Sequence, residues 1–175
     1  MKKSVALGLS TLALIALSAS PLYAIVAGGQ TYFLVVPRLV GATTTNVSAS
    51  YRIARYSFTV SVPSDSGEPL GALSVGIPAG IYTPYPGEVS VVDATGARLA
   101  TQTTAQSDGS LLITFQQPVA PGSTVTVQFE PIRNPKGGGT YLFEVRALPA
   151  GTNPFSYFLG FGRLEFFVGG AGSSG

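Results

Sequence analysis

The chain has 175 residues, 45% of them hydrophobic and only 10% charged, and it contains no Cys, His or Trp. That composition excludes a disulfide scaffold, thiolate or imidazole metal sites, and nucleophilic catalysis through Ser-His-Asp or Cys-His arrangements. Lys and Arg number ten against eight Asp and Glu, a small excess that Lys2 and Lys3 account for by themselves.

Those two lysines open the first element. They precede an apolar stretch from Val5 to Leu17, then Pro21 and Leu22-Tyr23-Ala24, the order of a secretory signal peptide. The stretch is shorter than the roughly 20 residues needed to cross a bilayer. The expectation is a cleaved leader over 1–24, with no transmembrane segment in the mature protein. No Cys stands near the cut, which excludes a lipoprotein anchor. The mature chain then carries eight basic and eight acidic groups and no formal net charge. A neutral, sparsely charged surface has no electrostatic footprint for nucleic acid or anionic membrane, and it offers little self-repulsion against association.

From residue 25 onward the pattern predicts strands. Tyr32 to Val36 is a continuous apolar run, expected as a first strand buried on both faces. Tyr56-Ser57-Phe58-Thr59-Val60-Ser61-Val62 alternates apolar with hydroxyl residues, which sends each class to its own sheet face. The alternation recurs at Leu73/Val75/Ile77, Val89/Val91, Leu111/Ile113/Phe115, Val125/Val127/Phe129, Tyr141/Phe143/Val145 and Leu164/Phe166/Val168. Turn-forming clusters separate these runs, among them Pro63–Gly67, Pro84–Gly87, Asp93–Gly96, Asp108-Gly109 and Pro121-Gly122. Asp-Gly suits the positive φ of a tight hairpin, so Thr103–Gln106 and Leu111–Phe115 are expected to pair. Short strands with frequent Gly and Pro turns predict one all-β domain over 25–168, an Ig-like Greek-key β-sandwich. The runs are too short for a membrane barrel. Residues 169–175 read as a flexible Gly/Ser tail.

The remaining polar residues suggest no catalytic site. Asp65, Glu68 and Asp93 lie in turns without the spacing of a calcium loop, and no metal or other cofactor is expected. Lys136, the one mature lysine, sits in a Pro-Lys-Gly-Gly-Gly turn that leads into a strand rather than a phosphate-binding helix. Glu130, Glu144 and Glu165 are the acids nearest strands. Glu144 stands two residues from Arg146 and Glu165 two from Arg163, so cross-strand ion pairing is the expected use. The one functional hint is aromatic. Phe155, Tyr157, Phe158 and Phe161 crowd a segment expected to be a loop folded across the core. Tyr82 and Tyr85 on the Pro-rich loop are candidates to join them in a contact patch.

Phe115–Ser123, Pro131-Ile132-Arg133-Asn134-Pro135, Gly138-Gly139-Thr140-Tyr141-Leu142-Phe143, Ala147–Gly151 and Leu159-Gly160-Phe161-Gly162-Arg163-Leu164 form a further pattern. It resembles a family of exported cyanobacterial proteins known only as a domain of unknown function, with the Asn-Pro…Gly-Gly-Thr-Tyr-Leu-Phe block its most specific part. The resemblance implies an exported β-sandwich from a photosynthetic bacterium and brings no catalytic residues. The chain end is loosely similar to copper-resistance sandwich domains, whose His and Met ligands are absent here. The expected role is therefore a non-enzymatic envelope or extracellular protein, periplasmic or at the cell surface. It would act through contacts with itself, with another envelope protein or, as the alternative, with a glycan stacked on the loop aromatics.

Overall fold

The computed structural model describes residues 25–169. The expected leader and all of the expected tail except Gly169 lie outside the described residues. A small hairpin of β1 (Ile25–Ala27) and β2 (Gln30–Tyr32) precedes two five-stranded antiparallel sheets. The first sheet runs β3 (Arg38–Thr44), β4 (Ala54–Ser61), β10 (Thr124–Ile132), β6 (Val89–Asp93), β7 (Arg98–Leu99). The second runs β12 (Tyr157–Phe166), β11 (Gly139–Pro149), β5 (Leu70–Gly76), β9 (Ser110–Val119), β8 (Thr101–Ala105). The chain crosses between sheets at β4–β5, β5–β6, β7–β8, β9–β10 and β10–β11, and the result is the expected β-sandwich.

The alternating runs sort as their period requires. Tyr56, Phe58 and Val60 on β4 stand opposite Phe129, Val127 and Val125 on β10, and all six are buried. On the outer face of the same pair the Thr59 and Thr126 hydroxyls lie 3.1 Å apart. Leu73 and Val75 of the second sheet lie between Ala147 and Val145 on one side and Ile113 and Leu111 on the other. Aromatic rings join the sheets, with Phe143 5.0 Å from Phe58 and 5.7 Å from Tyr56 between ring centroids. Such contacts add about 0.5–1.5 kcal/mol each beyond the area they bury. The Asp108-Gly109 hairpin forms between β8 and β9, with Gly109 at φ +84° and the Asp108 carboxylate accepting from the Ser110 N–H and hydroxyl.

Two expectations are corrected. Tyr32–Val36 is not a doubly buried strand. β2 ends at Tyr32, and Leu34 is exposed in an irregular connection whose N–H donates to the Ser66 carbonyl. The aromatic segment after Asn153 is not one loop, because β12 begins at Tyr157 and pairs with β11 through Phe166. β12 also packs on β3. Gly162 is buried there, and a Cβ at that position would stand 2.7 Å from the Phe58 ring and 3.1 Å from Ala42.

The sandwich has two distinct ends. At the hairpin end Leu70 pairs with Pro149 and Val119, and at the opposite end Gly76 pairs with Glu144 and Ser110. The β1–β2 hairpin is held to the first end by Thr31, whose hydroxyl and N–H donate to the carbonyls of Thr152 and Asn153. At the opposite end the organiser is Asn134, fully buried. Its Oδ1 accepts from the Tyr56 hydroxyl at 2.9 Å, and its Nδ2 donates to the carbonyls of Asn46 and Ser48 at 3.0 and 2.8 Å. Its own N–H donates to the Tyr51 carbonyl, and the Ser50 N–H donates to the Pro135 carbonyl. The connection from β3 to β4 is thereby tied to the end of β10.

Asn134→Ala removes those side-chain partners at once and is expected to cost about 2–4 kcal/mol, with Tyr56→Phe nearer 1 kcal/mol, both read from denaturant midpoints by circular dichroism. Burial, and secondarily the nearby Tyr141, push the Tyr56 hydroxyl above its usual value of 10. The neutral form is favoured in the fold, so this contribution is intact below pH 10 and is lost as pH rises beyond it. The wild type should lose stability above that pH, and Tyr56→Phe should lose less. Gly162→Ala, which forces a methyl into the Phe58 ring, is expected to cost about 1–3 kcal/mol in the same assay.

Candidate functional site

The acidic residues are engaged in holding the fold. In the β6–β7 turn the Asp93 carboxylate accepts from the Thr95 hydroxyl at 2.6 Å and from the N–H groups of Thr95 and Ala97. Those bonds, the hydroxyl first, hold its pKa below the usual carboxylate range. Glu130 on β10 reaches Arg55 on β4 at 2.5 Å, a cross-strand pair. Glu144–Arg146 and Glu165–Arg163 pair within their own strands rather than across them. The expectation of cross-strand pairing for these two is corrected, since residues two apart on one strand share a face and the long arginine folds back along it. Among the described residues no three of His, Cys, Asp and Glu stand together in a way that would hold a metal.

Glu68 differs from the other acids. It lies in the β4–β5 connection, is 6% exposed, and its Oε1 has no hydrogen-bond partner. Burial raises its pKa, so the protonated form is favoured in the fold. The charged form therefore destabilises, and that penalty grows as pH rises through the ordinary carboxylate range.

The six candidate aromatic residues do not form one surface. Tyr82 and Tyr85 leave the end of β5 at Gly76, whereas Phe155 lies in the β11–β12 connection beyond Pro149. The length of β5, about 20 Å at strand rise, separates them. At the hairpin end Phe155 stacks on Tyr32 at 5.4 Å and meets Tyr157 at 4.8 Å, while Tyr157 is half-buried against Phe33. Phe158 and Phe161 pair at 5.1 Å on the outer face of β12, opposite Arg146 and Glu144. Phe155, Phe158 and Phe161 are exposed. The expectation that this segment folds across the core therefore holds for Tyr157 alone.

The end opposite the hairpin collects further exposed apolar side chains that the alternation argument missed. Ile53 is 68% exposed, Val168 67% and Phe167 59%, and Val47 and Tyr51 are exposed beside them on the β3–β4 connection. Their backbone is fixed. The Phe167 N–H donates to the Val47 carbonyl, the Ala49 N–H donates to the Phe167 carbonyl, and Asn134 holds the connection from beneath. Ser50 adopts φ +63°, a conformation rare for a non-glycine residue, which the surrounding bonds hold in place. A signal did exist in the sequence for Val47 and Ile53, which fall outside any expected core face, whereas Val168, expected to continue the Leu164/Phe166 face, is exposed because β12 ends at Phe166.

Beside this apolar rim is a cleft of about 360 Å³ lined by Gly80, Ile81, Tyr82, Lys136, Gly137 and Tyr141. The Arg133 guanidinium sits 5.3 Å from the Tyr82 ring centroid. The Tyr141 hydroxyl donates to the Gly137 carbonyl, and its ring meets Phe166 edge-on at 5.7 Å.

Residues 30–166 match the protein family described as "Protein of unknown function (DUF2808)". The chain belongs to that family. The match includes every strand from β2 to β12 and the Asn134-Pro135 to Phe143 block. The DUF2808 chain is similar to a solved bacterial hydrophobin, BslA, with a TM-score of 0.51 and 17% identity, covering 77% of this chain and 95% of that one. It is also similar to a structure of the RrgA Jo.In complex, with a TM-score of 0.50 and 11% identity, covering 81% and 89% of the two chains. At these identities the likeness is one of sandwich fold. No curated protein matches the DUF2808 chain. Among its described residues no helix is long and apolar enough to cross a membrane.

Glu68→Gln is expected to stabilise the protein at pH 7, because the amide carries no charge and escapes the penalty that burial places on the charged form of Glu68. A pH series of denaturation curves checks it, and the advantage should shrink towards pH 4 as Glu68 itself becomes neutral.

Proposed function

We propose that this chain is an exported, non-enzymatic protein of the cell envelope or extracellular space that works by protein–protein contact. Its partner is a second copy of itself, met through the apolar end of the sandwich. The cyanobacterial source implied by the Asn-Pro…Gly-Gly-Thr-Tyr-Leu-Phe block belongs to the same proposal, as does cleavage of the leader. The observation that carries the reading is the set of exposed apolar side chains, Val47, Tyr51, Ile53, Phe167 and Val168, on a backbone locked by Asn134. Apolar groups on a rigid support lose little conformational entropy when covered, so burying them favours association. The zero formal charge after residue 24 supports a second copy as the occupant, because two neutral bodies meet without long-range repulsion.

Sedimentation equilibrium over a wide concentration range tests the proposal. Association should strengthen in ammonium sulfate, as expected for apolar contact, and Ile53→Ser combined with Phe167→Ser should weaken it at least tenfold with the fold intact by circular dichroism. A wild type that remains monomeric at high concentration and in sulfate would overturn the reading.

A further inference from the structure

The cleft beside the apolar end has a chemistry of its own. Two tyrosines supply aromatic faces, the Arg133 guanidinium lies over the Tyr82 ring, and Lys136 is in the lining. Tyr82 is 43% exposed, so it has open surface beyond what Arg133 covers. Tyr141 is held from below by Phe166 and at its hydroxyl by Gly137. Gly80, at φ +87°, lets its loop pass close to that ring, since a Cβ there would stand 3.4 Å from it. Every side chain in the lining is fixed or short except Lys136.

Not every cation is committed to an ion pair: among the described residues Arg38, Arg52 and Arg98 form no salt bridge, and neither do the two at the cleft. Arg55, Arg146 and Arg163 each pair with a glutamate. Arg133 and Lys136 pair with no carboxylate among the described residues, and no acid lines the cleft. The Arg133 Nε is buried and has no hydrogen-bond partner. A guanidinium packed on a ring without an anion retains unused donors, and an adjacent ammonium adds to the positive potential. Neutral sugars need only aromatic faces and hydroxyl partners. Cations beside such faces select a ring that carries an anion.

We infer that the cleft lined by Tyr82, Tyr141 and Lys136, with Arg133 packed on the Tyr82 ring beside it, binds an acidic saccharide, a uronate-type sugar. The sugar's C–H face lies on Tyr82 and its carboxylate is held by Lys136 and the Arg133 guanidinium. This inference is independent of self-association, because the apolar rim uses different side chains and responds oppositely to salt. Screening weakens an ion-paired ligand, whereas sulfate strengthens apolar contact.

Affinity electrophoresis of the purified chain through gels containing polygalacturonate, dextran sulfate or unmodified dextran tests it. Polygalacturonate should retard the wild type at low ionic strength, unmodified dextran should not, and 0.5 M NaCl should reduce the retardation. Tyr82→Ala and Lys136→Ala should each weaken polygalacturonate binding at least tenfold, while Tyr82→Phe retains it. Both variants are at exposed positions, and unchanged melting curves confirm that loss of binding is not loss of fold. The inference is overturned if polygalacturonate causes no retardation, if unmodified dextran binds as well, or if dextran sulfate alone binds. Retention of full polygalacturonate affinity by Tyr82→Ala would also overturn it, since attraction would then be to charge without the ring.

Discussion

A single buried carboxamide determines how one whole end of this protein is arranged. Asn134 has two donors and one acceptor oxygen on its side chain, and each group has a partner within 3.0 Å. It joins the core through the Tyr56 hydroxyl and the surface through the carbonyls of Asn46 and Ser48. A polar group sealed in apolar surroundings is costly when unpaired and specific when satisfied. Here the specificity is spatial. The β3–β4 connection cannot shift without breaking these buried bonds, so the apolar side chains it carries keep their positions. Pro135 completes the clasp by accepting from the Ser50 N–H.

The two sheets are joined on one flank by a different device. β3 and β12 are the outermost strands of their sheets and pack together, which the absence of a side chain at Gly162 permits. At Gly160 the register between β11 and β12 slips, with Phe158 opposite Arg146 and Gly160 opposite Val145. The glycines of the Leu-Gly-Phe-Gly-Arg segment thus serve separate purposes. Gly162 allows close approach, and Gly160, at φ +133°, accommodates the slip. The other flank ends in β7 of one sheet and β8 of the other.

Much of the fold was legible from period-two alternation, because one face of each sheet is buried and the other solvated. β4, β6, β9, β10 and β11 lie where their alternating residues predicted. β3 was not legible, because Arg38–Thr44 mixes Gly, Ala and Thr and covers β12 rather than a full core face. The apolar run at Tyr32–Val36 misled for the converse reason, as it bridges the hairpin to β3 and leaves Leu34 in solvent. Of the candidate surface, the exposure of Tyr82 and Tyr85 follows from their Pro-rich loop. The pairing of Tyr82 with Arg133 does not, since 51 positions separate them: Tyr82 lies between β5 and β6, and β6 pairs with β10, which ends at Ile132 just before Arg133. Asn134 stood inside the most recognisable block of the sequence, yet its role depends on carbonyls from a distant connection.

The courses of β3 and β12 bear on how the molecule carries a load. Both strands run from the hairpin end towards the apolar end, β3 as the first long strand of the sandwich and β12 as the last. Tension applied between the first and last described residues is therefore directed along the strands. Each ladder, β3 on β4 and β12 on β11, is stressed in shear, with its hydrogen bonds resisting together instead of peeling apart in turn. A domain built this way yields stiffly to stretching while its faces remain free to engage neighbours.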